Sequence, residues 1–306
     1  MAYPFRMSYV LGFDGGGTKT ECVVMDSSDH VIARTFAGPS NPTRIGIEPA
    51  VRAVEEAANL ALREASIKRE ALRAIGAGLA GTANPEMRRR TYAAMQSAFP
   101  GIPLTLLTDI EASLAAAGEG PVIVILAGTG SFAIGRNAAG ETHRAGGYGP
   151  ASSDHGSAFD VGRRAIATIE KAGTERDAPA TLAAQIVAQL GYAEWSEVQR
   201  RAATVPDDVF PRIFPVIAMA ADAGDPAMRE ILLDAVRALT ALAVEAADNL
   251  RLRESAFRLA KTGGMLGRSK FFDQQLDAAL TQLFPAAEIG GLRISPAEAA
   301  ALAARG

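Results

Sequence analysis

GFDGGGTKTECVVMD, residues 12–26, sets three consecutive glycines between two apolar, β-rich runs. Glycine packs nothing and adds unfolded-state entropy, so a run of three implies that some group must approach that backbone closely. Gly12 and Gly17 stand at P-loop spacing, but Thr18 occupies the lysine position and Lys19 falls one residue late. A P-loop also passes from strand into helix, whereas ECVVM after this turn is an apolar strand. The stretch therefore reads as strand, tight glycine–threonine turn, strand.

Residues 8–14 and 21–26 flank the glycines and VIARTFAG (31–38) follows, which predicts a three-strand meander. A loop over 38–46 leads to a helix over 48–66, whose Val51, Val54, Ala58 and Ala61 recur at helical spacing. Next come a strand in LRAIGAGLAG (72–81), a helix in NPEMRRRTYAAMQSAF (84–99), the strand LTLLTD (104–109) and a helix from Ile110. After Gly120 the pattern restarts: strand 121–127, turn Gly128-Thr129-Gly130, strand 131–136, a turn over 137–140, then a third strand or loop. Residues 156 to about 254 are mostly helical by period, 255–267 form a strand ending in glycines, and helices close the chain over 270–284 and Pro296–Arg305. FDGGGTKTECVV is thus echoed by VILAGTGSFAI. The echo points to two similar domains facing each other across a cleft, chance glycine turns being the alternative. The expected domains are 1–118 and 119–306, the last helix being a candidate for packing back on the first.

Composition narrows the chemistry. Lys plus Arg (31) nearly balances Asp plus Glu (34) over 306 residues, and the only run of like charge is Arg88-Arg89-Arg90, which argues against nucleic acid as a partner. The single cysteine, Cys22, excludes an intramolecular disulfide, an all-cysteine zinc site and a cysteine-ligated iron–sulfur cluster within one chain. Within ECVVM it reads as a buried small hydrophobe. The amino terminus has too short an apolar stretch for a signal peptide, and no segment approaches the ~20 apolar residues of a membrane span. A cytoplasmic protein without membrane contact is expected.

Gly76-Ala77-Gly78-Leu79-Ala80-Gly81 is a literal dinucleotide fingerprint, but Asn84-Pro85 delays the helix and the candidate acid, Asp109, lies too far on. Small residues that let a strand end pack under a loop explain it better. The glycine–threonine turns are more telling. In each, bare backbone N–H groups converge and a threonine hydroxyl adds a donor. Two such turns can hold a polyphosphate, with Asp14 placed for a water of hydrated Mg2+. Asp109 ends a strand and starts a helix, where α/β folds present catalytic carboxylates, although Asp also favours helix N-caps. Asp154 has the same ambiguity, with Ser152 and Ser153 as further caps.

DGGGTKT (14–20), the Asn41 loop, TDIEAS (108–113), LAGTGS (126–131), GGYG with SSDHGSAF (146–159) and KTGGMLG (261–267) follow one another in order and approximate spacing. In this the chain resembles the BadF/BadG/BcrA/BcrD ATPase family of the actin/hexokinase superfold, essentially over its whole length. Within that family it is similar to N-acetylglucosamine kinases and bacterial glucosamine kinases. The resemblance implies an α/β fold of two ribonuclease-H-like, actin/hexokinase-type domains with mixed sheets flanking a nucleotide cleft. It implies ATP and Mg2+ as cofactors, an amino sugar as substrate and a homodimer.

The resemblance also implies roles. Asp109 is the expected general base and sugar contact. Gly15, Gly16, Gly17, Thr18 and Lys19, with Gly128, Thr129 and Gly130, are expected at the nucleotide phosphates, Gly263 and Gly264 under adenosine, and Asp14 at the metal. Asn41, Gly146, Gly147, Tyr148 and Asp154 are the expected sugar contacts, Asn41 being otherwise a turn-former. Tyr148 replaces the tryptophan of eukaryotic enzymes, and His155 stands where the family has glutamate, which puts that glutamate's function in doubt. Activators of 2-hydroxyacyl-CoA dehydratases, another branch, carry an iron–sulfur cluster. One cysteine per chain cannot supply its four ligands even in a homodimer. The expected reaction is phosphorylation of N-acetylglucosamine at O6, glucosamine kinase being the alternative and a non-catalytic sugar or nucleotide sensor a more distant one.

Overall fold

In this computed structural model, which describes residues 8–149, 153–173 and 179–305, the glycine stretch is a hairpin. β1 (Tyr9–Gly15) and β2 (Thr20–Met25) pair antiparallel, with Phe13 opposite Cys22 and Asp14 opposite Glu21. β3 (Val31–Ala37) completes the meander. After α1 (Pro42–Ile45) and α2 (Ile47–Glu64), β4 (Leu72–Leu79) runs parallel to β1. α3 (Pro85–Ala98), β5 (Leu104–Thr108) and α4 (Asp109–Ala117) follow, giving the strand order β3-β2-β1-β4-β5. The P-loop is thereby excluded, because the turn leads into a strand.

A second five-stranded sheet repeats that order. β6 (Val122–Ala127), β7 (Ser131–Arg136) and β8 (Thr142–Gly146) form its meander. The helices α5 (Ala158–Gly173), α6 (Pro179–Leu190), α7 (Trp195–Thr204), α8 (Pro206–Val209), α9 (Phe214–Asp222) and α10 (Pro226–Asn249) then intervene. β9 (Arg258–Thr262) returns parallel to β6, and after α11 (Lys270–Leu283) comes β10 (Glu288–Gly291), parallel to β9. The order β8-β7-β6-β9-β10 matches the first sheet strand for strand. The α/β class with two mixed, ribonuclease-H-like sheets is therefore observed. β10 was not anticipated: EIGG is too short and glycine-rich for a period-2 signal, and pairing with β9 creates it.

The chain divides into two units, one holding residues up to Gly118 together with those from Leu292, the other Glu119–Gly291. α12 (Pro296–Arg305) lies on the first sheet, within the first unit. In the first unit the period-2 pattern of β1 sends Leu11 and Phe13 to one core with Val54, Ala58 and Ala61 of α2 and Met95 of α3. Cys22 joins them, fully buried, and burial pushes its thiol pKa upward. Each fully buried Leu or Phe there contributes about 1.5–3 kcal/mol. Val10, Val23 and Ala74 point to the opposite face, against Ala297 and Ala301.

That second face explains the apparent fingerprint. A Cβ at Gly76 would lie 1.7 Å from Ala300 O and one at Gly12 2.0 Å from Ala297 O, so α12 sits directly on strand backbone. A Cβ at Gly78 would meet Ala112 Cβ at 2.5 Å, and Gly81, at φ +84°, abuts Asn41. These glycines make room for helices and a loop of the protein itself. In the second unit Ile123, Ile125 and Leu259 share one core with Leu239 and Ala243 of α10 and Phe272 and Leu276 of α11. No described helix is long and apolar enough to cross a membrane.

Candidate functional site

The turn between β1 and β2 closes through the Gly16 N–H, which donates to Lys19 O at 3.0 Å, leaving Gly17 and Thr18 at the tip. Gly17, Thr18 and Lys19 are exposed. The N–H groups of Gly17 and Thr18 donate to no protein acceptor among the described residues. Gly15 is bare for an internal reason, since a Cβ would lie 2.1 Å from Ser40 Oγ. Around Gly16 a Cβ would meet only Lys19 O, at 3.9 Å. Room for a ligand is therefore a property of the tip, and Gly15 serves packing. The Lys19 ammonium lies 4.7 Å above the Phe36 ring.

Asp14 is half-buried at the end of β1, beside the turn. Burial pushes its carboxyl up to about 7, the charges of Glu21 and Asp109 add to that, and Lys19 opposes it. Glu21, its register partner, is itself buried and paired with Arg34, which also reaches Glu298. No group of three or more His, Cys, Asp or Glu side chains forms a metal cage among the described residues. Mg2+ usually keeps several waters and takes only one or two carboxylates plus substrate phosphates. Asp14 fits such an ion, since a carboxylate opposed by two others gains most from a nearby cation.

Asp109 opens α4, but the cap belongs to its neighbours. Thr108 Oγ1 accepts the Glu111 N–H (3.1 Å) while the Glu111 carboxylate accepts the Thr108 N–H (2.7 Å), a complete capping box. The N-cap alternative for Asp109 is thereby removed. Its carboxylate, in the first turn of α4, is close enough to Asp14 to perturb it. Asn41 behaves as its turn-forming alternative required: it caps α1, and its Oδ1 accepts both the Thr43 N–H (3.0 Å) and the Thr43 hydroxyl (2.6 Å). Both lone pairs are committed, so what Asn41 can offer a ligand is its NH2 group.

In the second unit the Gly128-Thr129-Gly130 turn closes with Gly128 N–H donating to Gly130 O (3.0 Å). The amides of Ala158 and Phe159, opening α5, donate to Gly128 O (2.8 Å) and Thr129 O (3.4 Å). The α5 cap is Ser157, whose Oγ accepts the Asp160 N–H at 3.2 Å. Of the cap candidates expected from sequence, Asp154 and Ser153 are thus excluded and Ser152 lies outside the described residues. The buried Asp154 instead accepts the Gly149 N–H (3.3 Å), and a Cβ at Gly130 would lie 2.8 Å from its Oδ2. Gly263, at φ +118°, packs on Ala127, while the space around Gly264 is open. The structure thus brings Gly128–Gly130, Asp154 and Gly263–Gly264 together.

Gly146 and Gly147 are left-handed, at φ +71° and +77°. A Cβ at Gly146 would meet Leu242 and one at Gly147 would meet Arg144 and Phe132, so their bareness serves the fold of this loop. Arg144, which carried no sequence signal, donates from Nε to Gly146 O (2.9 Å), bonds Gly147 O, and lies 4.8 Å from the Tyr148 ring. Tyr148 is 68% exposed. His155 is exposed, and its backbone carbonyl accepts the Ser131 hydroxyl (2.7 Å).

The N-acetyl-D-glucosamine kinase of Dictyostelium discoideum is 27% identical over 96% of this chain and 97% of its own. The N-acetylmuramic acid/N-acetylglucosamine kinase of Clostridium acetobutylicum is 26% identical over 98% and 99%. A solved Chromobacterium violaceum structure named for N-acetylglucosamine kinase superposes with a TM-score of 0.76 at 27% identity, covering 97% of this chain and 99% of that one. The BadF/BadG/BcrA/BcrD ATPase family model matches residues 11–304, so the chain belongs to that family.

Proposed function

We propose that this protein is an ATP- and Mg2+-dependent amino-sugar kinase that transfers the γ-phosphoryl group to O6 of N-acetylglucosamine. The observation that carries this reading is Asp109: a carboxylate in the first turn of α4, released from capping by Thr108 and Glu111 and set beside Asp14. The kinase names of the two full-length relatives support it.

In this reaction the sugar hydroxyl gives its proton to the Asp109 carboxylate as its oxygen bonds the γ-phosphorus. The bond from that phosphorus to the bridging oxygen breaks, and ADP leaves. The exposed tip at Gly17 and Thr18 and the Thr129 turn donate N–H and hydroxyl groups to phosphate oxygens, and Gly264 leaves open backbone for adenosine. Asp14 would hold Mg2+ through a water, and the bound ion would neutralise charge on the phosphates. The Asn41 NH2 group, the loop of Gly147 and Tyr148, and Asp154 bind the sugar. Catalysis of this kind is mostly positioning and electrostatics, which suits side chains fixed at strand ends.

The test is a coupled ADP-release assay over N-acetylglucosamine, glucosamine and N-acetylmuramic acid, with Asp109→Asn alongside. Turnover greatest with N-acetylglucosamine, and about 10²–10⁴-fold lower in the variant at unchanged thermal stability, is expected. Undiminished turnover in Asp109→Asn removes the general base; no ADP with any sugar removes the kinase.

A further inference from the structure

Two cations lie near the Gly16–Lys19 turn, and they are placed differently. Lys19, within the turn, lies over Phe36. Arg44 arrives from α1 and covers Gly17: a Cβ at residue 17 would lie 3.0 Å from Arg44 Nη1, 3.4 Å from Cδ and 3.5 Å from Cζ. Gly17 does not have positive φ, so its backbone does not demand glycine. The missing side chain makes room for the guanidinium. Beside it are the exposed Gly17 and Thr18 N–H groups, which have no protein acceptor among the described residues. A planar guanidinium next to two unpaired amide donors is a donor set suited to phosphate oxygens.

We propose that Arg44 is the cationic phosphate contact of this turn, the part that sequence position would give to Lys19. Its backbone is held at the Asn41 cap, since the Arg44 N–H donates to Asn41 O at 3.1 Å. One four-residue helix therefore carries a sugar contact at its cap and a phosphate contact at its third residue. The inference rests on the kinase reading.

Calorimetric binding of ATP and of adenosine, which lacks every phosphate, to the full-length wild type, Arg44→Gln, Arg44→Lys and Gly17→Ala tests it. Arg44→Gln weakens ATP binding by about tenfold or more and leaves adenosine unchanged. Arg44→Lys recovers part of the loss, because it restores charge without the fork. Gly17→Ala, which pushes the guanidinium aside, follows Arg44→Gln. A merely structural role lowers both affinities together. An ATP-to-adenosine affinity ratio in Arg44→Gln equal to that of the wild type overturns the inference and leaves the kinase standing. A wild type that binds no ATP overturns the kinase reading itself.

Discussion

Replacing Asp14 by asparagine should stabilise the protein at alkaline pH while impairing it as an enzyme. Burial and the charges of Glu21 and Asp109 raise the Asp14 carboxyl from 3.8 to about 7. An unfolded chain releases this proton near pH 4, whereas the folded one holds it to about pH 7. Between those values the native state binds more protons, so this group makes stability fall as pH rises. At 1.36 kcal/mol per pH unit the full cost of the ionised form above pH 7 is about 4 kcal/mol. Water reaching a half-buried carboxyl reduces it, and about 1–2 kcal/mol is expected. The amide keeps the shape of the carboxyl without the charge, so Asp14→Asn should melt about 1.5–3 °C higher than the wild type at pH 8. At pH 4, where both side chains are neutral in the folded protein, the two should coincide. Calorimetric scans at the two pH values, without nucleotide or divalent ions, measure this. Equal stability at pH 8, or the same gap at both pH values, refutes the electrostatic reasoning. ADP release should fall in the variant, stability having been given up for function.

Gly76→Ala places a methyl group where Ala300 O lies and should cost about 2–4 kcal/mol in urea unfolding; Gly38→Ala, with nothing within 4 Å and no positive φ, should change stability by less than about 1 kcal/mol. Asp222 accepts bonds from Phe271 N–H (2.9 Å), Ser269 Oγ (2.7 Å) and Lys270 N–H (3.0 Å), which outweigh its slight burial and together hold its carboxyl below the usual range. Asp222→Ala should therefore lose about 1–2 kcal/mol at pH 7. Because the folded-state pKa is lowered, that difference should shrink as pH falls below 3.8, which chemical denaturation at pH 3 and pH 7 would reveal.

The main course of the fold was legible because its signals are local. Period-2 alternation in β1 separates Val10 from Leu11 and Phe13, and the strand-turn-strand echo at Gly128-Thr129-Gly130 anticipated two sheets of one topology. β10 was not legible, since four residues of EIGG become a strand only through pairing with β9. The candidate site was legible as a set of residue types and less so as interactions. Asp109 read as a catalytic carboxylate with an N-cap as its alternative, and Asn41 as a turn-former that only the family resemblance made a sugar contact. The capping box of Thr108 and Glu111 resolves the first, and the Thr43 bonds commit the oxygen of the second.

By itself, then, the sequence determined the succession of most strands and helices along the chain, the hairpin rather than a P-loop at Asp14–Lys19, and the exclusion of a four-cysteine cluster, because each follows from neighbours along the chain or from composition. Only the tertiary structure decided which glycines leave room for a ligand and which, like Gly15 and Gly76, leave room for the protein itself. It also decided that Arg44, and not Lys19, covers the turn tip, and that burial, with Glu21 and Asp109, disfavours charge on Asp14. Steric room and electrostatic energy depend on distances between groups far apart in the chain, and those distances exist only after folding.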